Sequence, residues 1–200
     1  MLIPSLKTAL ACLFLSILLA TCRNVPSFPK EPVISIESLT RTFNGFSGDN
    51  VLLKIRFQDG TGDLGLESGE RQTTRPVTRI SGTQPFQEYF YTFNSFGQLT
   101  DSTRNKFYHN LFIKLSRKNS SGIFEEIVFP DPNFNYNYGF KPLYENNRKT
   151  PMEGLIEYNM NLSQPTFKKN DIIKCEIQIC DRDKNFSNTV VSEVLTLLME

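Results

Sequence analysis

The sequence predicts an all-β protein built as an antiparallel sandwich, and three observations predict it. Apolar and polar residues alternate with a period of two through most of the chain after residue 32. No run of ten or more residues carries a convincing amphipathic helical pattern. A turn sequence, Lys118-Asn-Ser-Ser-Gly122, separates two of the apolar stretches and marks a hairpin.

The alternation identifies the strands in order. Val51, Leu53, Ile55 and Phe57 share one face, with Lys54, Arg56 and Gln58 on the other. Leu111, Ile113 and Leu115 repeat the pattern, as do Ile123, Ile127 and Phe129 beyond the hairpin turn. Ile156, Tyr158, Met160 and Leu162 alternate with Glu157, Asn159 and Asn161. Further strands are expected at 33–39, 86–93, 171–180 and 188–198. With 86–93 assigned to an insertion of about 50 residues after the second strand, seven strands remain, starting near 33, 50, 110, 122, 154, 171 and 187. Seven is the strand number of immunoglobulin-like and fibronectin-III-like sandwiches. In a simple up-and-down arrangement, the connections at 58–109 and 181–187 leave the sandwich at the same end.

Residues 1–21 read as an export signal. Lys7 supplies the positive charge, and the apolar run Ala9–Ala20 spans 12 residues, the length of a signal h-region and short of the roughly 20 that cross a bilayer as a helix. Leu19-Ala20-Thr21-Cys22 follows and resembles the lipobox of bacterial lipoproteins, with Thr21 where Gly or Ala is usual. The resemblance implies acylation at Cys22, which becomes the mature N-terminus. Two or more acyl chains hold a protein to a membrane where one is marginal. No Asp follows Cys22, which by the same resemblance implies an outer-membrane address facing the periplasm. Residues 22–32 contain three prolines and read as an extended tether, leaving 33–200 as one domain.

Composition narrows the function classes. Lys7 is the one charged residue in 1–21, so the mature chain keeps 21 basic and 21 acidic residues. That balance gives no basic surface for nucleic acid. Cys175 and Cys180 lie five residues apart in one predicted strand, on opposite faces and about 16 Å apart, too far for a disulfide. Both read as small buried hydrophobes.

Two segments resemble a known group. Asp59-Gly-Thr-Gly-Asp-Leu-Gly65 follows a strand, and Asp181-Arg-Asp-Lys-Asn-Phe-Ser-Asn188 closes a hairpin. With Asn110–Leu115, they resemble Bacteroidota envelope lipoproteins that carry these elements on an immunoglobulin-like domain. The resemblance covers most of 33–198 and implies fold and origin, with no particular activity.

Candidate sites are few. Asp59 and Asp63 in one loop, with Asp181, Asp183 and Asn185 in the other, are a candidate shared Ca²⁺ site, because hard cations take six to eight oxygens from such loops. Glu70 stands at the twelfth place counted from Asp59, but Leu64 and Phe186 occupy the sixth places where an EF-hand needs Gly. The same residue types also make tight turns without any ion. Phe134, Tyr136, Tyr138 and Phe140 alternate with Asn and Gly and, if extended, put four rings on one side. Such a row suits stacking on sugar faces or packing beneath a loop. His109 is the single histidine, and no Gly-x-Ser-x-Gly elbow accompanies it. No pattern marks a carboxylate pair for glycoside hydrolysis, which leaves a carboxylate hydrolase as the weakest alternative. The sequence thus leads to a non-enzymatic, lipid-anchored binding or structural module, with a membrane anchor and a protein or glycan ligand as partners. A glycan-binding accessory protein is the first alternative.

Overall fold

A computed structural model describes residues 26–43, 48–67, 71, 86–131, 134–143 and 149–198. The expected export signal, Cys22 and Glu70 lie outside the described residues. All regular structure among those described is β, apart from one turn of 3₁₀ helix at Lys106–Tyr108.

Two antiparallel sheets form the body. One has the order β1-β2-β7, from Val33–Phe43, Gly48–Asp59 and Met152–Ser163. The other has the order β6-β5-β8-β10, from Phe124–Glu126, Leu111–Lys118, Ile172–Ile179 and Leu195–Thr196, with β9 (Val190–Val191) also paired to β8. A separate hairpin joins β3 (Tyr89–Phe93) to β4 (Leu99–Arg104).

The period-two pattern is the cause of this layering. Val51, Leu53, Ile55 and Phe57 turn inward from β2, and Ile156, Met160 and Leu162 from β7. They meet Leu111, Ile113 and Leu115 of β5 and Ile173, Cys175, Ile177 and Ile179 of β8 in one core, with Phe167 beside them. Each fully buried aliphatic side chain contributes about 1.5–3 kcal/mol relative to exposure. Asp49, buried at the start of β2, ties the C-terminal end to the same sheet by accepting the Leu198 amide at 2.7 Å.

Three expectations need correction. The strand expected across 188–198 is broken into β9 and β10 at Ser192. Its hydroxyl accepts the Cys175 amide at 2.9 Å, a place that a strand would fill with a carbonyl. The strand expected to reach Phe129 is only Phe124–Glu126, and Ile123 is 61 % exposed rather than inward. Residues 99–104, with no apolar alternation, nevertheless form β4. There the turn decides: Asn94 Oδ1 accepts the amides of Phe96 and Gln98 at 3.0 and 2.9 Å, and Gly97 takes φ +77°. Asn119 does the same at the expected hairpin, accepting from Ser121 and Ile123 at 3.0 and 2.9 Å.

Candidate functional site

The end of the sandwich beyond β2 and β8 gathers the acidic loops. β2 ends at Asp59, which is buried. Its Oδ1 accepts the Thr61 amide at 3.1 Å and its Oδ2 the Asp63 amide at 2.9 Å. The Thr61 hydroxyl lies 2.9 Å from Asp59 Oδ1 and 2.5 Å from Asp63 Oδ1, bridging the two carboxylates. Asp63 is also buried, and its Oδ2 faces Lys149 Nζ at 3.5 Å. In the other loop, Asp181 accepts the Asn185 amide at 2.7 Å and the Asn185 side-chain NH₂ at 2.8 Å. Asp183 is exposed on the turn.

The two loops lie within electrostatic reach. Burial raises the Asp181 pKa, the Asn185 hydrogen bonds oppose this, and the charges of Asp63 and Asp59 raise it further. Up-and-down parity therefore placed both loops at one end correctly. Most of these carboxylate oxygens already have partners without an ion. The oxygens of Asp59 and Asp181 and Oδ1 of Asp63 are engaged by their own loops, whereas Asp63 Oδ2 is buried, accepts no hydrogen bond and faces Lys149 Nζ at 3.5 Å. Asn185 turns a donor, not an acceptor, toward Asp181. Among the described residues, no three His, Cys, Asp or Glu side chains form a group that could hold a metal ion. The carboxylates work as Asx turns that satisfy loop amides. Thermal melts in EDTA and in millimolar Ca²⁺ are expected to coincide; a rise of several degrees in Ca²⁺ would restore the cation reading.

The aromatic row also needs correction. Residues 134–140 share one isolated β-bridge with β5, Leu111 to Tyr138, and do not run as a strand. The rings consequently divide. Tyr136 and Phe140 are each 7 % exposed, inside the core, and Tyr136 donates its hydroxyl to the Asn161 carbonyl at 2.7 Å. Phe134 and Tyr138 remain 49 % and 47 % exposed. Phe134 packs edge-on against Phe129 and Tyr136, and Tyr138 stacks on Tyr158 at 5.0 Å between ring centres. No four-ring platform for a sugar forms.

The two cysteines are free and buried. Burial pushes both thiols up to about 12, so neither is a nucleophile at neutral pH. His109 lies edge-on to Tyr108 at 4.8 Å, and neither of its ring nitrogens has a hydrogen-bond partner among the described residues. Burial, then the charges of Arg71 and Arg104, lower its pKa from 6.5 to about 4.

That shift has a pH signature. The folded state keeps His109 neutral while the unfolded chain takes up its proton between pH 6.5 and 4. Stability is expected to fall as pH drops through this window and to level off below it, by about 1–2 kcal/mol at pH 5. Asp181 acts with the opposite sign, because protonation relieves a carboxylate whose pKa is raised. Urea unfolding at pH 7 and pH 5 should show the loss in the native protein and not in His109→Gln. Equal losses in both would show that His109 is not its source.

Comparison with protein-family models, curated proteins and solved structures finds no match for this chain.

Proposed function

We propose that this chain is a lipid-anchored protein of the bacterial cell envelope whose single sandwich serves as a non-enzymatic binding or structural module. The observation that carries the reading is how the Pro-rich segment meets the domain. The Gly60 amide donates to the Pro29 carbonyl at 2.8 Å, and a Cβ at Gly60 would lie 2.5 Å from the Phe28 and Pro29 carbonyl oxygens. The tether is thus stitched to the acidic-loop end before it enters β1. Pro29 lies seven positions after Cys22, so an anchor at Cys22 holds that end within about 25 Å of a membrane.

The fold reading goes further in the same direction. The first two strands and β7 share one sheet, and β5, β6, β8 and the β9–β10 pair share the other. That partition of seven strands supports an immunoglobulin-like or fibronectin-III-like sandwich, with 60–110 as the insertion that carries β3 and β4. The Bacteroidota origin rests on the resemblance of the 59–65 and 181–188 motifs, and the outer-membrane address on the absence of Asp after Cys22.

Intact-mass measurement of membrane-extracted protein tests the anchor. The expected product begins at Cys22 and carries acyl chains, and Cys22→Ser should release the protein from the membrane fraction. An unmodified Cys22 in the mature protein would overturn it.

A further inference from the structure

We propose that the β3–β4 hairpin is a membrane-contacting finger whose aromatic tip enters the lipid interface beside the anchor. The position of the bilayer rests on the lipid-anchored reading above, and the test separates the two.

The hairpin springs from the tethered end. Asn105 closes its base: the backbone amide donates to the Glu88 carbonyl at 2.8 Å, and Nδ2 donates to the Gln87 carbonyl at 2.9 Å. The 3₁₀ turn at Lys106–Tyr108 follows at once. Its Phe107 packs on Phe186 of the 181–187 loop, with ring centres 5.9 Å apart. That loop shares its end of the sandwich with Gly60, where the Pro-rich segment docks. Neither hairpin strand pairs with another strand among the described residues. Eight positions from Glu88 to Phe96, at about 3.3 Å each, make the finger about 26 Å long. The tether from Cys22 to Pro29 spans at most about 25 Å. Finger and tether are rooted at one end with equal reach, so tip and anchor can meet the same surface.

The composition of the finger points to lipid as its occupant. Tyr89–Thr100 holds five aromatic rings and no charged residue, in a chain that is 22 % charged. The hairpin at the other end of β5 carries Arg117, Lys118, Glu125 and Glu126. Phe96, at the turn, is 87 % exposed, and Phe90 is exposed on β3. Tyr89, Tyr91 and Phe93 stand half-buried on the opposite face of that strand from Phe90. A charge carried into a bilayer is expensive, whereas aromatic rings such as Tyr favour its interface. A finger without charge avoids that cost.

The tip is also internally paired. The amides of Asn94, Phe96, Gly97 and Gln98 all donate within the turn, at 2.9–3.0 Å. Asn94 Nδ2 donates to Gln98 Oε1 at 3.0 Å, and the Thr100 hydroxyl to the Thr92 carbonyl at 3.0 Å. Polar groups leave water at low cost only when they are hydrogen-bonded. Little hydration therefore has to be stripped from this turn as it enters lipid.

Fluorescence quenching tests the finger. The chain has no Trp, so Phe96→Trp gives a single reporter at the tip. Ile123→Trp gives one at the exposed far end of β5. Each is made in the acylated protein and in the mature chain carrying Cys22→Ser. Both forms are mixed with phosphatidylethanolamine–phosphatidylglycerol vesicles that contain brominated acyl chains. Position 96 is expected to shift to shorter wavelength and lose at least about half its intensity, and position 123 to stay unchanged. The quenching should survive about 0.5 M NaCl, because the tip has no charge to screen. Phe96→Asp, at an exposed position, should keep Tm and weaken vesicle binding of the Cys22→Ser chain at least about tenfold. Vesicle-bound acylated protein with no quenching at 96 would overturn the finger and leave the anchor standing. Quenching at 96 in a chain whose Cys22 is unmodified would support the finger and overturn the anchor alone. Equal quenching at 96 and 123 would mean undirected adsorption, and loss of quenching in salt would assign the contact to Lys106 and Lys184. Either result would overturn the proposal.

Discussion

Asn110→Ala is expected to lower stability by about 1–3 kcal/mol while leaving every apolar core residue in place. Asn110 is 2 % exposed and precedes β5. Its Oδ1 accepts the Phe140 amide at 2.9 Å, and its Nδ2 donates to the Phe140 carbonyl at 3.2 Å. Its own backbone is committed as well, to Tyr138 on one side and Cys180 on the other. Truncation leaves the Phe140 amide buried without a partner, at a cost of about 1–3 kcal/mol, while the Phe140 carbonyl keeps the Leu66 amide as its donor at 3.0 Å. Asn188→Ala is the control, because the same two-bond geometry serves Ile34 from an exposed side chain. Water can replace it there, and the expected cost is about 1 kcal/mol or less. Urea midpoints of the two variants check the contrast. Equal small losses would mean that Phe140 finds other partners.

Asn110 and Asn188 show what was legible in the sequence and what was not. The strands that build the core were legible wherever one face is buried, since burial imposes the period of two that Val51–Phe57 and Ile156–Leu162 display. The same rule fails for Phe134–Phe140, because parity assigns faces only to an extended chain. This segment is held to β5 by amides instead: the Ile113 N–H donates to Asn137 Oδ1 at 2.9 Å. Side-chain amides replace strand rungs at Ile34, Ile113 and Phe140, and nothing in periodicity marks an Asn that will do so. The break at Ser192 was hidden for the same reason.

The acidic end was legible in position, and its residues serve the backbone of their own loops. Asp59-x-Thr61-x-Asp63 and Asp181-x-Asp183-x-Asn185 have the spacing of cation loops because both a cation and a row of loop amides ask for convergent oxygens. The motif residues instead each carry a structural task. Asp59 and Asp181 cap their own loops, Gly60 receives the tether, the Ser187 hydroxyl accepts the Ile179 amide at 3.0 Å, and Asn188 closes the edge of β1. A motif can therefore mark a shared architecture without marking a shared reaction.

Gly62 carries the second large effect, and it separates two causes that usually travel together. Gly62 has φ +67°, and a Cβ there would lie 2.0 Å from the Thr150 carbonyl oxygen and 2.5 Å from its nitrogen. Gly97 has a similar φ of +77° with nothing within 4 Å of the same position. Gly97→Ala thus measures the left-handed backbone alone, an expected cost of about 1–2 kcal/mol. Gly62→Ala adds a collision with backbone that has little room to yield. Thr150 lies two residues before β7, whose first residue, Met152, is in register with Asp59. Moving Thr150 away would strain that pairing and the loop whose amides Asp59 holds. Overpacking of this kind costs a further 1–3 kcal/mol or so, giving a total of about 2–5 kcal/mol. Thermal melts of the two alanine variants should differ by the collision term. If they melt together, the loop at 59–66 is free to move away from β7, and the acidic end is softer than its hydrogen bonds imply.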